Sequence, residues 1–156
     1  MRKKFTLKNT KDENKFVQVE NNKLWYKTQT RVLYADTDAA QVVYHANYLR
    51  YFETGRAELI RDFGSSYKYI EEKNIYHPIV KIDVDYHYPA RYDELIDIYV
   101  RPDKADVVKF AIEYKILNAE TKKLLVEGTS IHCCTIEGRK PCLIDDITKG
   151  LFAAYQ

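Results

Sequence analysis

Residues 36–63, DTDAAQVVYHANYLRYFETGRAELIRDF, hold the pattern that decides the fold. Tyr48, Phe52, Leu59 and Phe63, with Leu49, Ile60 and the small Gly55, recur at spacings of three to four, which predicts a long helix over about 44–63. Arg50, Glu53, Arg56, Glu58 and Arg61 supply its polar side. A glycine inside a helix costs about 1 kcal/mol relative to alanine, so Gly55 points to close packing against another backbone. Gly64 is the expected stop. Two aspartates, Asp36 and Asp38, precede this helix by less than three turns. They bring a carboxylate near the unpaired N–H groups of a helix start, where a negative charge is favoured. A carboxylate can attack a carbonyl or activate water, and free N–H groups stabilise an oxyanion, so the segment is a candidate hydrolytic site.

Outward from the helix the period changes. Residues 23–35 (KLWYKTQTRVLYA) are rich in aromatic and β-branched residues and predict a first strand. A short helical piece is expected near Ser66–Lys73. After Pro78 the alternation has period two: Val80, Ile82, Val84, Tyr86 and Tyr88 point one way, Lys81, Asp83, Asp85 and His87 the other. Residues 94–101 and 107–117 behave similarly, a last strand is expected over about 124–137, and a terminal helix over Asp145–Tyr155. The connections around 89–93, 102–106 and 118–123 are short, which predicts antiparallel neighbours at each. Five antiparallel strands with one apolar face must cover one long helix, an α+β domain over residues 23–156. Residues 1–22 are polar and aperiodic, and read as an N-terminal extension.

The 156 residues suit one domain, and 46 % hydrophobic with 31 % charged residues reads as globular. A net charge of +2 is too mild to argue for nucleic acid. The start MRKKFTLKNTKDENKF lacks the apolar core of a secretion signal, and no run approaches the ~20 apolar residues of a membrane span. Cytoplasmic localisation is therefore expected, with Cys133, Cys134 and Cys142 as small core residues or surface thiols. Fourteen tyrosines suit a half-buried sheet face or a subunit interface. Asp83, Asp85 and His87 share a strand face but read as solvated, and no H-E-x-x-H or C-x-x-C spacing occurs, so no metal site is expected. There is no G-x-S-x-G elbow and no glycine-rich phosphate loop.

Asp36-Thr37-Asp38, then Val42-Val43-Tyr44-His45-Ala46-Asn47-Tyr48, then Phe52-Glu53, resembles the hotdog-fold acyl-CoA thioesterases of the 4-hydroxybenzoyl-CoA type. Within that family the pattern is most similar to the bacterial tol–pal-associated short-chain acyl-CoA thioesterases. Tyr86-His87-Tyr88-Pro89-Ala90-Arg91-Tyr92-Asp93-Glu94 resembles the family's hairpin between its second and third strands. The resemblance spans about residues 28–150. It implies a hotdog fold, in which a five-stranded antiparallel sheet wraps one central helix. It also implies hydrolysis of an acyl-CoA thioester to free acid and CoA, with Asp38 as nucleophile or general base. The backbone N–H of His45 would face the thioester carbonyl, and Tyr34, Tyr44, Asn47 and Tyr48 would line the substrate. Tyr48 also lies on the apolar stripe of the helix, so core packing is its other reading. No metal and no cofactor are implied, CoA being part of the substrate.

The implied partners are an acyl-CoA, with acyl-carrier protein as the other conceivable carrier, and further copies of the chain in a homodimer or homotetramer with sites between subunits. The phosphates of CoA call for cations, and Arg91, Arg101, Lys104, Lys109, Arg139 and Lys140 are the candidates. One departure stands out: Gln41 occupies a loop position where the family has glycine. Either the loop is ordinary there or the acyl pocket is reshaped. The alternative function class is a hotdog protein that binds acyl-CoA or acyl-carrier protein without hydrolysis. A dehydratase of the same fold is a third.

Overall fold

The computed structural model describes residues 15–19 and 23–155. In chain order its elements are β1 (Phe16–Val19), β2 (Lys23–Arg31), a 3-10 turn at Tyr34–Asp36, α1 (Asn47–Asp62), α2 (Tyr67–Glu71), β3 (Ile75–Tyr76), β4 (Ile79–Tyr86), β5 (Leu95–Ala105), β6 (Lys109–Asn118), β7 (Leu124–Cys133), β8 (Thr135–Ile136), β9 (Lys140–Pro141) and α3 (Asp146–Ala154). The main sheet is antiparallel with the order β1-β2-β5-β6-β7-β4, and β3-β8-β9 form a small second sheet. All five expected strands are present, and α1 lies against their inner face in the hotdog arrangement.

Three features differ from the sequence expectation. Residues 16–19, inside the expected polar extension, add a sixth strand by pairing with residues 23–26; residues 1–14 and 20–22 lie outside the described residues. A four-residue FVQV run set among charges is too short to show a period. Secondly, residues 87–94 do not form a hairpin. β4 pairs with β7 at the far edge, whereas β5 sits between β2 and β6, so this short segment crosses the open end of the sheet. Two strands intervene between β4 and β5, a gap of about 14 Å that eight residues span easily. The crossing is fixed by the N–H groups of His87 and Tyr88 on the Leu125 carbonyl and by the Ala90 N–H on Tyr48 Oη (2.9 Å). Thirdly, the last strand breaks at Cys134, giving β7 and the short β8.

α1 buries Tyr48, Tyr51, Phe52, Gly55, Arg56, Leu59 and Ile60. Leu49, assigned to the apolar side, is 38 % exposed, while Arg56, assigned to the polar side, is buried. Arg56 follows Tyr48 and Phe52 at spacings of four and so shares their stripe. Its guanidinium donates to Tyr114 Oη at 3.0 Å and to Tyr67 Oη at 3.1 Å, which makes its burial tolerable. Phe52 stacks on Tyr114 with ring centres 4.3 Å apart. The expectation at Gly55 holds: a Cβ there would lie 2.5 Å from Val100 Cγ2 and 2.7 Å from Ile98 Cγ2. The helix begins at Asn47 rather than 44, because the Tyr44 N–H is taken by the Asp36 carbonyl.

A polar chain runs through the core beneath the helix. Arg56 donates to Tyr114, Tyr114 Oη lies 2.8 Å from Ser130 Oγ, and Ser130 Oγ lies 2.7 Å from His132 Nε2. His132 Nδ1 is 3.0 Å from the His77 carbonyl, so it must carry the proton and Nε2 must accept. Donors and acceptors match only if His132 is neutral. Burial, helped by the Arg56 charge, pushes its pKa down to about 4.

The loop between β2 and α1 is pinned through Asp36, which is 1 % exposed. Its carboxylate accepts from the Leu33 N–H and Tyr51 Oη, both at 2.9 Å, and meets Arg50 Nη1 at 3.1 Å. Its carbonyl accepts from the Tyr44 N–H and from Asn47 Nδ2. Beyond it Thr37 and Val43 form an isolated bridge, and Gln41 takes the left-handed conformation at φ 61°. The loop therefore keeps a glycine-like backbone without a glycine.

Gly55→Ala should destabilise the fold by about 1–3 kcal/mol in chemical denaturation, the overpacking outweighing the better helix propensity. Gln41→Gly should raise stability by about 0.5–1 kcal/mol, since a left-handed conformation strains glutamine and not glycine. Because the folded-state pKa of His132 lies below the ordinary 6.5, the unfolded chain binds the extra proton first. Stability should thus fall as pH drops from about 6.5 to about 4, by up to about 3 kcal/mol, and this part of the slope should be missing from His132→Gln when both proteins are denatured across that range.

Candidate active site

The pinned loop carries both candidate groups, Asp38 and His45. The Thr37–Val43 bridge sets Asp38 at the start of a tight turn, closed by the Asp38 N–H on the Val42 carbonyl and the Gln41 N–H on the Asp38 carbonyl, both at 2.9 Å. The Asp38 side chain is exposed, and its Oδ1 accepts the Ala40 N–H at 2.8 Å. Its other oxygen has no partner among the described residues. Two residues past Val43, His45 sits in the turn before α1, with Ala46 as the N-cap. The Ala46 side chain cannot cap, and the His45 N–H meets no acceptor among the described residues. One free carboxylate oxygen and one free N–H at a helix start are the two chemical elements that acyl transfer requires.

Beside His45 lies a cavity of about 250 Å³ lined by Val43, His45, Tyr48 and residues 86–89. Its walls are mostly aromatic, which suits an apolar acyl group or a pantetheine arm. Tyr86 Oη donates to the His45 carbonyl at 3.0 Å and so holds the turn that presents the His45 N–H. The His45 ring lies 4.4 Å from that of Tyr44 and 6.5 Å from that of Tyr86.

The other candidates divide. Tyr48 is buried with its hydroxyl committed to the Ala90 N–H, as core packing requires, and it also lines the cavity. Asn47 spends its amide on the Asp36 carbonyl and supports the loop rather than lining the cavity. Tyr44 is 45 % exposed beside His45. Tyr34 is 78 % exposed and meets the Tyr92 ring edge-on at 5.8 Å, outside the cavity lining. In the sequence Tyr86 and Tyr88 belong to a strand face and to the motif of residues 86–94; their alternation is visible there, but not the crossing that brings them to the cavity beside α1. Among the proposed cations, Arg101 is spent on Glu113 (3.3 Å) and Asp103 (3.8 Å), while Arg91, Lys104, Lys109, Arg139 and Lys140 form no ion pair among the described residues.

Asp83 and Asp85 are exposed and His87 pairs with Glu127, as a solvated face would have it. Donor atoms of His77, Cys134 and Asp145 converge within 4.8 Å of one another. The Asp145 carboxylate there already caps α3 through the Thr148 N–H and accepts from His77 Nε2 at 2.9 Å. No helix among the described residues is long and apolar enough to cross a membrane.

Comparison with known proteins agrees with this geometry. Residues 32–151 match the model of the thioesterase-like superfamily. YneP of Bacillus subtilis strain 168 is 36 % identical over 108 residues, covering 69 % of this chain and 78 % of that one. The acyl-CoA thioester hydrolase YbgC of Escherichia coli O157:H7 is 31 % identical over 113 residues, covering 72 % and 84 %. The crystal structure of a DHNA-CoA thioesterase from Staphylococcus aureus superposes with a TM-score of 0.76 at 29 % identity, covering 84 % of this chain and 88 % of that one. A helix wrapped by an antiparallel sheet, a carboxylate before the helix start and a family match across both place this chain in the thioesterase-like superfamily of hotdog proteins.

Proposed function

We propose that the chain is an acyl-CoA thioester hydrolase in which Asp38 does the chemistry and the His45 N–H polarises the thioester carbonyl. The observation that carries the reading is the pairing of a solvent-accessible carboxylate with an unsatisfied N–H at a helix start, both on one pinned loop beside an aromatic cavity. In one route an Asp38 oxygen attacks the carbonyl carbon, the C–S bond breaks, CoA leaves as thiolate, and water then cleaves the mixed anhydride. In the other Asp38 takes a proton from the water that attacks. Both routes place negative charge on the carbonyl oxygen, where an N–H aligned with the helix start is most effective. Neither needs a metal or a further cofactor. The acyl-CoA assignment is supported by the name borne by YbgC.

The working unit is at least a homodimer on this reading. The outer edge of β4 has no strand partner among the described residues, and Ile79, Val80 and Tyr86 on it are 44 %, 53 % and 50 % exposed. An eight-residue edge without a strand partner among the described residues, with these apolar side chains exposed, is a natural pairing surface for a second copy. Pairing there would close the cavity, whose far wall is Tyr86 and its neighbours.

Asp38→Asn should fold as the parent does, bind CoA, and lose about 10³-fold or more in kcat on a panel of short aliphatic and aromatic acyl-CoAs. Turnover close to the parent's would overturn the assignment, and binding without hydrolysis by the parent itself would favour the non-hydrolytic class. His45→Ala keeps the backbone N–H and should cost less than about tenfold in kcat/KM. Val80→Asp should shift the mass measured by light scattering toward a monomer of 18.4 kDa and lower activity with it.

A further inference from the structure

Cys134 and Cys142 face each other across the base of the β8–β9 hairpin. The ladder that pairs Ile136 with Lys140 and Thr135 with Pro141 runs one step further to them, and the Cys142 N–H donates to the Cys134 carbonyl at 2.9 Å. Their sulfurs are 3.4 Å apart. Residues opposed in an antiparallel ladder have Cα atoms about 4.5–5.5 Å apart, inside the roughly 4.4–6.8 Å range that a disulfide spans. Small side-chain rotations therefore suffice to join the sulfurs. Cys133, the remaining thiol, has its Sγ against the Cys134 carbonyl at 3.7 Å instead.

The two thiols are not equivalent. Cys142 is partly exposed and meets solvent first, whereas Cys134 is fully buried. Burial, with the Cys142 thiol beside it, pushes the Cys134 thiol up to about 12, so it stays protonated and inert toward outside reagents. The His77 ring is oriented by Asp145, whose carboxylate is held down to about 2 by hydrogen bonds from His77 and Thr148, and the donor atoms of His77, Cys134 and Asp145 lie within 4.8 Å of one another.

We propose that Cys134 and Cys142 form an oxidation site, which a peroxide converts into a disulfide that staples the β8–β9 hairpin to the end of β7. Cys142 Sγ attacks one peroxide oxygen, the O–O bond breaks, and sulfenic acid and water result. Cys134 Sγ then attacks the Cys142 sulfur, the S–O bond breaks, and the hydroxyl leaves as a second water with the proton that Cys134 gives up. The two thiols lose two electrons, and hydrogen peroxide gains them. The tip of the stapled hairpin, Gly138, forms part of the wall of a cavity of about 400 Å³ that Arg56, Tyr67 and His77 also line. Oxidation stiffens that wall. The proposal stands apart from the hydrolytic reading and does not depend on Asp38.

The test is peroxide treatment of the full chain, followed by thiol alkylation and intact-mass and peptide analysis. Alkylatable thiols should fall from three to one, the mass should drop by about 2 Da, and the linked peptides should be those of Cys134 and Cys142, with full reversal by dithiothreitol. Cys133→Ser should behave as the parent. Cys142→Ser should form no intramolecular bond, and it avoids disturbing the buried position. Three alkylatable thiols after treatment, or sulfinic acid on Cys142 beside a reduced Cys134, would overturn the proposal.

Discussion

The close approach of α1 to the sheet is the constraint on which the rest of the structure depends. At Gly55 the helix backbone comes so near that a single Cβ would overlap Val100 and Ile98. From the opposite side Gly128 of β7 gives way to the Phe52 ring, where a Cβ would sit 2.9 Å from Phe52 Cε2. Two glycines on facing elements let Phe52 lie flat on Tyr114 at the centre of the core. Close packing of this kind admits few alternatives, so the helix can neither slide nor turn without losing the fit. Its N-terminus, and everything attached to it, inherits that fixity.

The two aspartates before the helix then divide the work by burial. Asp36 turns inward and ties the loop to Leu33, Arg50 and Tyr51 through its carboxylate and to Tyr44 and Asn47 through its carbonyl. Asp38, two residues on, turns outward and keeps an oxygen unpaired. Alternate residues of an extended chain usually share a face, so two aspartates two apart would be expected to point together. The 3-10 turn at Tyr34–Asp36 ends between them and separates their directions. One carboxylate is committed to holding the loop, while the other faces solvent.

Much of this was legible in the residues. The three-to-four spacing marked α1 to within three residues at either end, and period-two runs with β-branched and aromatic content located all five long strands. Gly55 announced its tight contact. Two of the differences have a common cause, partners distant in sequence. Arg56 reads as polar surface because its tyrosine partners, Tyr67 and Tyr114, lie 11 and 58 positions away. Residues 87–94 read as a hairpin because their length fits one, although β4 finds its neighbour in β7. The FVQV strand of β1 is recognisable only from the edge of β2 that it joins.

The sequence by itself determined the helix, the strands, the aspartate pair and the family they resemble, because each is written in local spacing or in a contiguous motif. It also marked Gln41 as unusual, though not how the loop would respond. Only the tertiary structure decided that Gln41 keeps the left-handed backbone, that Asn47 serves the loop, and that Tyr86 reaches the turn at His45. It also brought Cys134 and Cys142 face to face and set His77 beside them. Those outcomes depend on which segments meet when the sheet closes around α1. That choice is made by packing between distant residues, which no local pattern records.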